Sequence, residues 1–425
     1  MAKKKVTKEG ELPDVFEMMK GIDDNIEIIE ESSYSNINEW ISTGNYLLNA
    51  AISGSLFGGI PSGRVTTLAG VPGSGKSFLA CNICREAQNE GYNILYLDSE
   101  GAMDKSFMRR IGVDTSKVMI KQVNTVTEVS EILANTCKNL DDMRAKYGSA
   151  HKFLIVLDSL GNLTSTKELA DTLDNAGDKR DMTRAQNIKA LFRVNATPMA
   201  RNGIIFVVIS HIYQTIGAYV PTSVVSGGSG INYNSSVTLM LSPSKLQDKA
   251  AVDATEKAAN KDDVLKSGVL VTAKVEKSRF TIPRKVRFSI SYHAPSNKFI
   301  GLESYINWET SHICRGSILS ESEWKKAGGD SDTIHSWEFN GQTLHCQEKE
   351  TARNLVIGHL GKTVPLTGLW TPEVFTDEFL HELDEKVIKP AFELPDQASF
   401  DIIDELEDLV DLGNDVEVED NSQEQ

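Results

Sequence analysis

The sequence predicts an α/β fold, a mostly parallel central sheet covered by helices on both faces and built around a phosphate loop. Three observations predict it. Apolar, β-branched runs alternate with helical patterns from residue 64 to residue 210. The first of these runs feeds GVPGSGKS (residues 70–77), the spacing of glycine, four residues, glycine, lysine and serine that cradles phosphates. A later run, FLIVLD (residues 153–158), ends in a carboxylate, Asp158.

Taken in order, residues 1–40 read as an N-terminal arm with one amphipathic stretch at 15–19, and ordered α/β structure begins near Ser42. RVTTLAG (64–70) is a buried strand, because a half-exposed strand would alternate polar residues. Helix is expected over 77–90, strand over 93–98, a short helix over 104–111, strand over 118–123 and a long helix over 126–147. The strand at 153–158 is followed by a helix at 183–200 and the strand IIFVVIS at 204–210. Further strands are expected at 237–241, 269–277 and 284–291. Residues 213–236 are rich in Gly, Ser and Thr and read as a long loop, either functional or disordered, while polar residues 242–267 read as a surface excursion. The expected division is an arm (1–40), a core (41–300), a small C-terminal domain (301–390) and a disordered acidic tail (391–425).

Composition restricts the function classes. The 425 residues are 40% hydrophobic and 24% charged, and no apolar run approaches the ~20 residues that span a bilayer, so no membrane partner is expected. The basic N-terminus lacks an apolar stretch behind it and does not read as a secretory signal. Five cysteines without a regular framework fit a reducing, cytoplasmic setting. Net charge is −16, which argues against nucleic acid, but eleven of the acids lie in residues 401–425 and the rest of the chain carries only −5. The tail reads as a solubility device, or as a segment that competes for basic sites or recruits a basic partner.

The phosphate loop points to ATP with Mg²⁺. Gly70, Gly73 and Gly75, with Ser74 between the last two, let backbone N–H groups approach the phosphates at a helix N-terminus. Lys76 supplies charge to the β- and γ-phosphates, and Ser77 with Asp158 is the expected Mg²⁺ set. Glu100 directly follows the 93–98 strand and is the candidate base that orients and deprotonates water; Asp98 reads as structural. The Cys81-x-x-Cys84 pair reads as buried helix positions. His312, Cys314, His345 and Cys346 have no standard zinc spacing.

The succession GVPGSGKS, YLDSEGAMDKSFMRRIGVD and FLIVLDSLGNL resembles that of RecA-family recombinases. DSLGNL, DMTRA, SHIYQT and VEKSR are similar to the UvsX branch of T-even-type phages. The resemblance covers about residues 41–292. It implies a RecA-like core and the role of Glu100 as general base, with Asp104 and Phe107 at the adenine. It implies that His211 senses the γ-phosphate where RecA has glutamine, a side chain whose charge can depend on pH. It also implies that Lys277 and Arg279 reach the nucleotide of a neighbouring subunit, the pair lying on one face of a strand. DNA is implied at two segments, around residues 164–184 and 213–233, with Gly227 and Gly228 gripping phosphates through backbone N–H groups and Arg184 in support.

The function so implied is a filament on single-stranded DNA that pairs it with homologous duplex DNA and exchanges strands, driven by DNA-dependent ATP hydrolysis. A loading mediator and a single-strand-binding protein are the further partners it implies. A hexameric RecA-core helicase shares the phosphate loop, Glu100 and the K-x-R pair, and a regulatory paralogue without useful turnover is the non-enzymatic alternative.

Overall fold

The computed structural model describes residues 15–22, 26, 28–29, 37–173, 183–214, 223–226, 229–244, 268–291, 296–305, 313–319, 322, 326, 334–339, 342–348, 354–357, 362–365 and 368–392. Residues 393–425 of the acidic tail and the glycines at 227 and 228 lie outside these residues.

Helix α1 (Val15–Lys20) opens the chain, its Val15, Phe16, Met18 and Met19 exposed. Strands β1 (Trp40–Ile41) and β2 (Ile60–Pro61) pair antiparallel around α2 (Tyr46–Ser53), whose start Asn45 caps by accepting from Leu48 N. The alternating core follows: β3 (Val65–Gly70), α3 (Lys76–Asn89), β4 (Asn93–Asp98), α4 (Lys105–Ile111), β5 (Val118–Gln122), α5 (Val126–Tyr147) and β6 (Phe153–Asp158). It continues through α6 (Thr166–Leu173), α7 (Thr183–Arg201), β7 (Ile205–Gln214), β8 (Ser223–Val225), α8 (Ser229–Asn234), β9 (Val237–Ser244), β10 (Gly268–Ser278) and β11 (Lys285–Ser291).

The main sheet has the order β11-β10-β9-β3-β7-β6-β4-β5, with β8 paired to β7. From β9 to β5 every pair is parallel, while β10 and β11 complete the sheet antiparallel. All six residues of β3 are buried, as its continuous apolar pattern requires for a central strand. One face packs Phe78, Leu79, Ile83 and Cys84 of α3 over Leu68, Tyr96 and Val156. The other packs Val129 and Leu133 of α5 and Leu191 and Phe192 of α7 over Leu97, Ile155 and Phe206. Each such side chain contributes about 1.5–3 kcal/mol on burial, so the two-faced cover holds the phosphate-loop strand rigidly.

Two expectations are corrected. Strand β7 does not end at Ser210 but runs to Gln214, and the segment expected as one loop over 213–236 contains β8 and α8. The physical reason is that β8 gains its order from a ladder to β7 (Ile212↔Val225, Tyr213↔Val224), a long-range partner that local composition does not reveal. Further on, β10 carries a bulge between Val275 and Lys277 and stops at Ser278, so Lys277 and Arg279 are not alternate positions of one regular strand; Arg279 sits in the bend beyond it.

Within residues 301–390 a five-stranded antiparallel sheet has the order β13 (Ile334–Phe339), β14 (Gln342–Glu348), β12 (Ile313–Leu319), β15 (Asn354–Ile357) and β16 (Lys362–Pro365). Beyond it α9 (Asp377–Leu383) returns to the core. Phe375, Phe379, Leu383 and Phe392 share one cluster with Leu47, Ile52 and Phe299. Buried Asp384 accepts from Ser55 Oγ at 2.6 Å and from Leu56 N at 2.7 Å. Among the described residues no helix is long and apolar enough to cross a membrane.

Candidate nucleotide site

The phosphate loop joins β3 to α3 at the carboxyl edge of the parallel strands. Gly73 (φ 72) and Gly75 (φ 88) hold left-handed conformations that other residues resist. At Gly75 a Cβ would lie 2.1 Å from Ile290 Cδ1, so the end of that side chain would have to shift. Lys76 Nζ donates to the carbonyls of Gly70 (3.0 Å) and Val71 (2.8 Å), folding its ammonium back over the loop. Burial pushes the pKa of Lys76 below its ordinary value, while the charges of Asp158 and Glu100 oppose that shift. Ser74 Oγ is buried and has no hydrogen-bond partner among the described residues.

Ser77 Oγ donates to Asp158 Oδ2 at 2.9 Å, bringing together the two residues expected at a divalent cation. The same oxygen accepts from Tyr96 OH at 2.6 Å. Burial raises the pKa of Asp158, opposed by the Tyr96 and Ser77 hydrogen bonds, with Glu100 and Asp98 raising it further. A buried carboxylate beside a hydroxyl, with a buried unpartnered serine hydroxyl and a lysine in the same loop, fits a magnesium–nucleotide in both charge and donor type.

Glu100 stands across this crevice. Its Oε1 accepts from Ser159 Oγ at 2.8 Å and lies 2.9 Å from His211 Nε2. Parallel pairing of β3 with β7 sets His211 opposite Gly70. Asp98 is structural, as expected: its carboxylate accepts from the backbone N–H groups of Glu100 (3.0 Å), Gly101 (2.8 Å) and Met103 (3.3 Å), fixing the turn that aims Glu100.

Other expected residues fall elsewhere. Asp104 caps α4, accepting from Ser106 N at 3.0 Å, and is fully exposed. Phe107 is half-buried, its ring edge-on to Phe78 with centroids 6.3 Å apart. Lys277 and Arg279 lie towards the opposite edge of the sheet. Lys277 pairs with Thr238 and Ser278 with Val237, level with Thr67 and Thr66 of β3. Three to four residues of strand rise, roughly 10–13 Å, thus separate this level from Gly70. Lys277 Nζ donates away from the loop, to the carbonyls of Asn232 (2.7 Å) and Tyr233 (3.2 Å). Arg279 lines a cleft of about 550 Å³ with Arg64, Thr197, Arg201, Tyr233 and Asn234.

Arg184 turns two of its three guanidinium nitrogens inward. Nε donates to Leu163 O (2.6 Å) and Nη2 to Gly161 O (2.7 Å) and Leu160 O (3.3 Å). The paired glycines, Gly227 and Gly228, lie outside the described residues, but their flank is fixed: Ser226 N donates to His211 O at 2.7 Å and Ser210 Oγ to Ser226 O at 2.8 Å. Burial pushes the Cys84 thiol up to about 12 and raises that of Cys81, so this pair is inert packing. Among the described residues no group of three or more His, Cys, Asp and Glu side chains could hold a metal, and His312 lies outside those residues.

Sequence reasoning missed Tyr96 and Ser159. A hydroxyl-bearing ring inside an otherwise apolar buried strand was the available signal for Tyr96, because a buried Tyr O–H seeks a partner. Ser159 carried no signal beyond its place after Asp158.

The RecA N-terminal domain family matches residues 19–294, well over half of the chain. The chain is 28% identical over 261 residues to the "Recombination and repair protein" of Enterobacteria phage T4, covering 61% of this chain and 60% of that protein. It is 27% identical over 328 residues to the protein RecA of Ehrlichia chaffeensis, covering 73% and 83%. With the protein RecA of Anaplasma marginale (strain Florida) it shares 28% over 261 residues, 61% and 64%. The matches to the phage T4 and Anaplasma proteins thus span less than two thirds of those relatives' lengths.

Proposed function

This chain belongs to the RecA family, and we propose that it is an ATP-dependent DNA recombinase that assembles as a helical filament on single-stranded DNA and exchanges strands with a homologous duplex. The observation that carries this reading is the separation of two half-sites within one chain. The phosphate loop, Glu100 and His211 occupy the carboxyl edge of the parallel strands, while Lys277 and Arg279 face the other way. A basic pair that serves nucleotide chemistry from there must serve the nucleotide of a neighbour. Heterologous contacts of this kind repeat into a helix when they do not close.

In this reading the backbone N–H groups from Gly70 to Ser77, with Lys76, hold the phosphates, and α4 with Asp104 and Phe107 flanks the base. Mg²⁺, held by Ser77 and through water by Asp158, would neutralise charge on the phosphate oxygens. Lys76 would leave the Gly70 and Val71 carbonyls for the phosphates, exchanging neutral acceptors for anionic ones. Glu100 orients the attacking water and accepts its proton. His211 would donate to a terminal phosphate oxygen and thereby release Glu100 Oε1. Since β7 continues from His211 into the ladder with β8, such a change would be felt beside Gly227 and Gly228. Gripping by backbone N–H groups there would leave sequence choice to base pairing.

Electron microscopy of the protein with single-stranded DNA and a non-hydrolysable ATP analogue tests the reading. Helical filaments that require both ligands are expected. Closed six-membered rings would replace it with a helicase, and an absence of assembly would replace it with a regulatory paralogue.

A further inference from the structure

Arg184 is the second residue of α7 and reaches back to the turn that follows Asp158. Its Nε and Nη2 hold the carbonyls of Leu163, Gly161 and Leu160. The planar guanidinium can span three acceptors in this way because its donors form a fixed fork, which a lysine ammonium cannot reproduce. The carbonyls belong to one short segment, so the fork fixes the shape of that turn.

The same turn carries two contacts to the hydrolytic groups. Ser159 Oγ holds Glu100 Oε1, and Ser99 Oγ clasps Ser159, accepting from its N–H at 2.8 Å and donating to its carbonyl at 2.7 Å. Two residues on, Gly161 packs so closely that a Cβ there would lie 3.3 Å from His211 Cδ2 and 3.5 Å from Ser226 Oγ. Ser226 is in turn bound to Ser210 and His211 and precedes Gly227. The start of α7, the turn, Glu100, His211 and the flank of the second DNA-facing segment therefore form one contiguous set of contacts.

We propose that Arg184 is a positioning residue that ties the first DNA-facing segment to the ATP site through the 159–163 turn, and is not itself a grip on a DNA phosphate. The inference rests on the reading of this chain as a DNA-dependent ATPase. Displacement of α7's first turn by bound DNA moves the fork, the turn and hence Ser159 and Gly161 against Glu100 and His211. Nη1 makes none of these bonds, so the test must separate positioning by Nε and Nη2 from a phosphate contact. Contiguity alone does not establish coupling, so the test measures coupling directly.

The experiment compares full-length wild type, R184A and R184K. ATP turnover is titrated with an oligo-dT strand, and oligo-dT affinity is measured with a non-hydrolysable ATP analogue at two salt concentrations. The expected result is that turnover at saturating oligo-dT falls about tenfold or more in both variants, a typical coupling magnitude. Their affinity for the strand stays within about threefold of wild type, which also reports that both are folded. Saturating turnover near the wild-type value, with weakened affinity restored by R184K and a salt slope reduced by about one in R184A, would overturn the inference and make Arg184 a phosphate contact. A wild type whose turnover ignores oligo-dT would overturn the functional reading, and this inference with it.

Discussion

Glu100 and Ser159 are 59 residues apart in the chain, yet Ser159 Oγ donates to Glu100 Oε1 at 2.8 Å. His211 Nε2 meets the same oxygen at 2.9 Å from a third strand. Burial alone would raise the pKa of Glu100, but the hydrogen bonds from His211 and Ser159, with the nearby charge of Lys76, outweigh it and hold the carboxyl below its ordinary value. Glu100 is therefore ionised throughout the neutral range, the state that the proposed role of base requires. It is also held at rest, since the oxygen that would face water is shared by two donors.

Replacing Ser159 with alanine removes one of the two donors and lets the pKa of Glu100 rise. The acid limb of the pH–turnover profile should therefore move to higher pH in S159A. The sign is the same for stability. A depressed carboxyl pKa contributes stability above the ordinary carboxylate range and loses it as pH falls through the folded-state pKa. S159A should lose less stability than wild type on acidification across that window. Superimposable pH profiles of kcat for the two proteins would refute the assignment.

Tyr96 is fully buried, and its hydroxyl supports an ionised, buried Asp158. Y96F deletes a hydrogen bond to a charged acceptor while keeping the ring, and should cost about 1.5–3 kcal/mol at neutral pH. Because the bond favours the ionised carboxyl, the difference from wild type should narrow as Asp158 is protonated in acid. Urea midpoints at neutral and acid pH check both statements, and equal midpoints at neutral pH would deny the bond a structural role.

At Gly75 two penalties coincide, a left-handed φ of 88 and a Cβ position 2.1 Å from Ile290 Cδ1. G75A should destabilise the fold by roughly 2–4 kcal/mol, combining the conformational and overpacking terms. Shortening the neighbour in G75A/I290A should recover the overpacking part relative to I290A alone, and a double-mutant cycle of unfolding free energies measures that recovery. A strictly additive cycle would show that the contact does not constrain the loop.

What the sequence made legible was what lies close together along it. GVPGSGKS places its lysine and serine within one turn of the glycines, so spacing alone identifies the loop, and the continuous apolar run of β3 marks a central strand. Asp158 and Glu100 were legible as acids at or just beyond strand ends. The clasp between Glu100, Ser159 and His211 was not, because it depends on strand order: β4 lies beside β6 and β6 beside β7. The same holds for β8, whose Ser-Val-Val carries little periodicity and becomes a strand by pairing with β7. The bulge between Val275 and Lys277 broke the alternation on which one shared face for Lys277 and Arg279 rested. The inward bonds of Arg184 were not legible either, since nothing local to it announces three carbonyls more than twenty residues upstream.

The central claim is that ATP is hydrolysed between two copies of the chain, one supplying the phosphate loop and Glu100, the other Lys277 and Arg279. Mixing two inactive proteins tests it most directly. E100Q lacks the base, and a K277A/R279A double variant lacks the basic pair. Oligo-dT-dependent ATP turnover is measured for each alone and for an equimolar mixture. Random assembly through a heterologous interface should restore an intact site at about a quarter of the contacts, so the mixture should turn over ATP where neither component does. A mixture as inactive as its components would contradict the account and place the whole site within one chain.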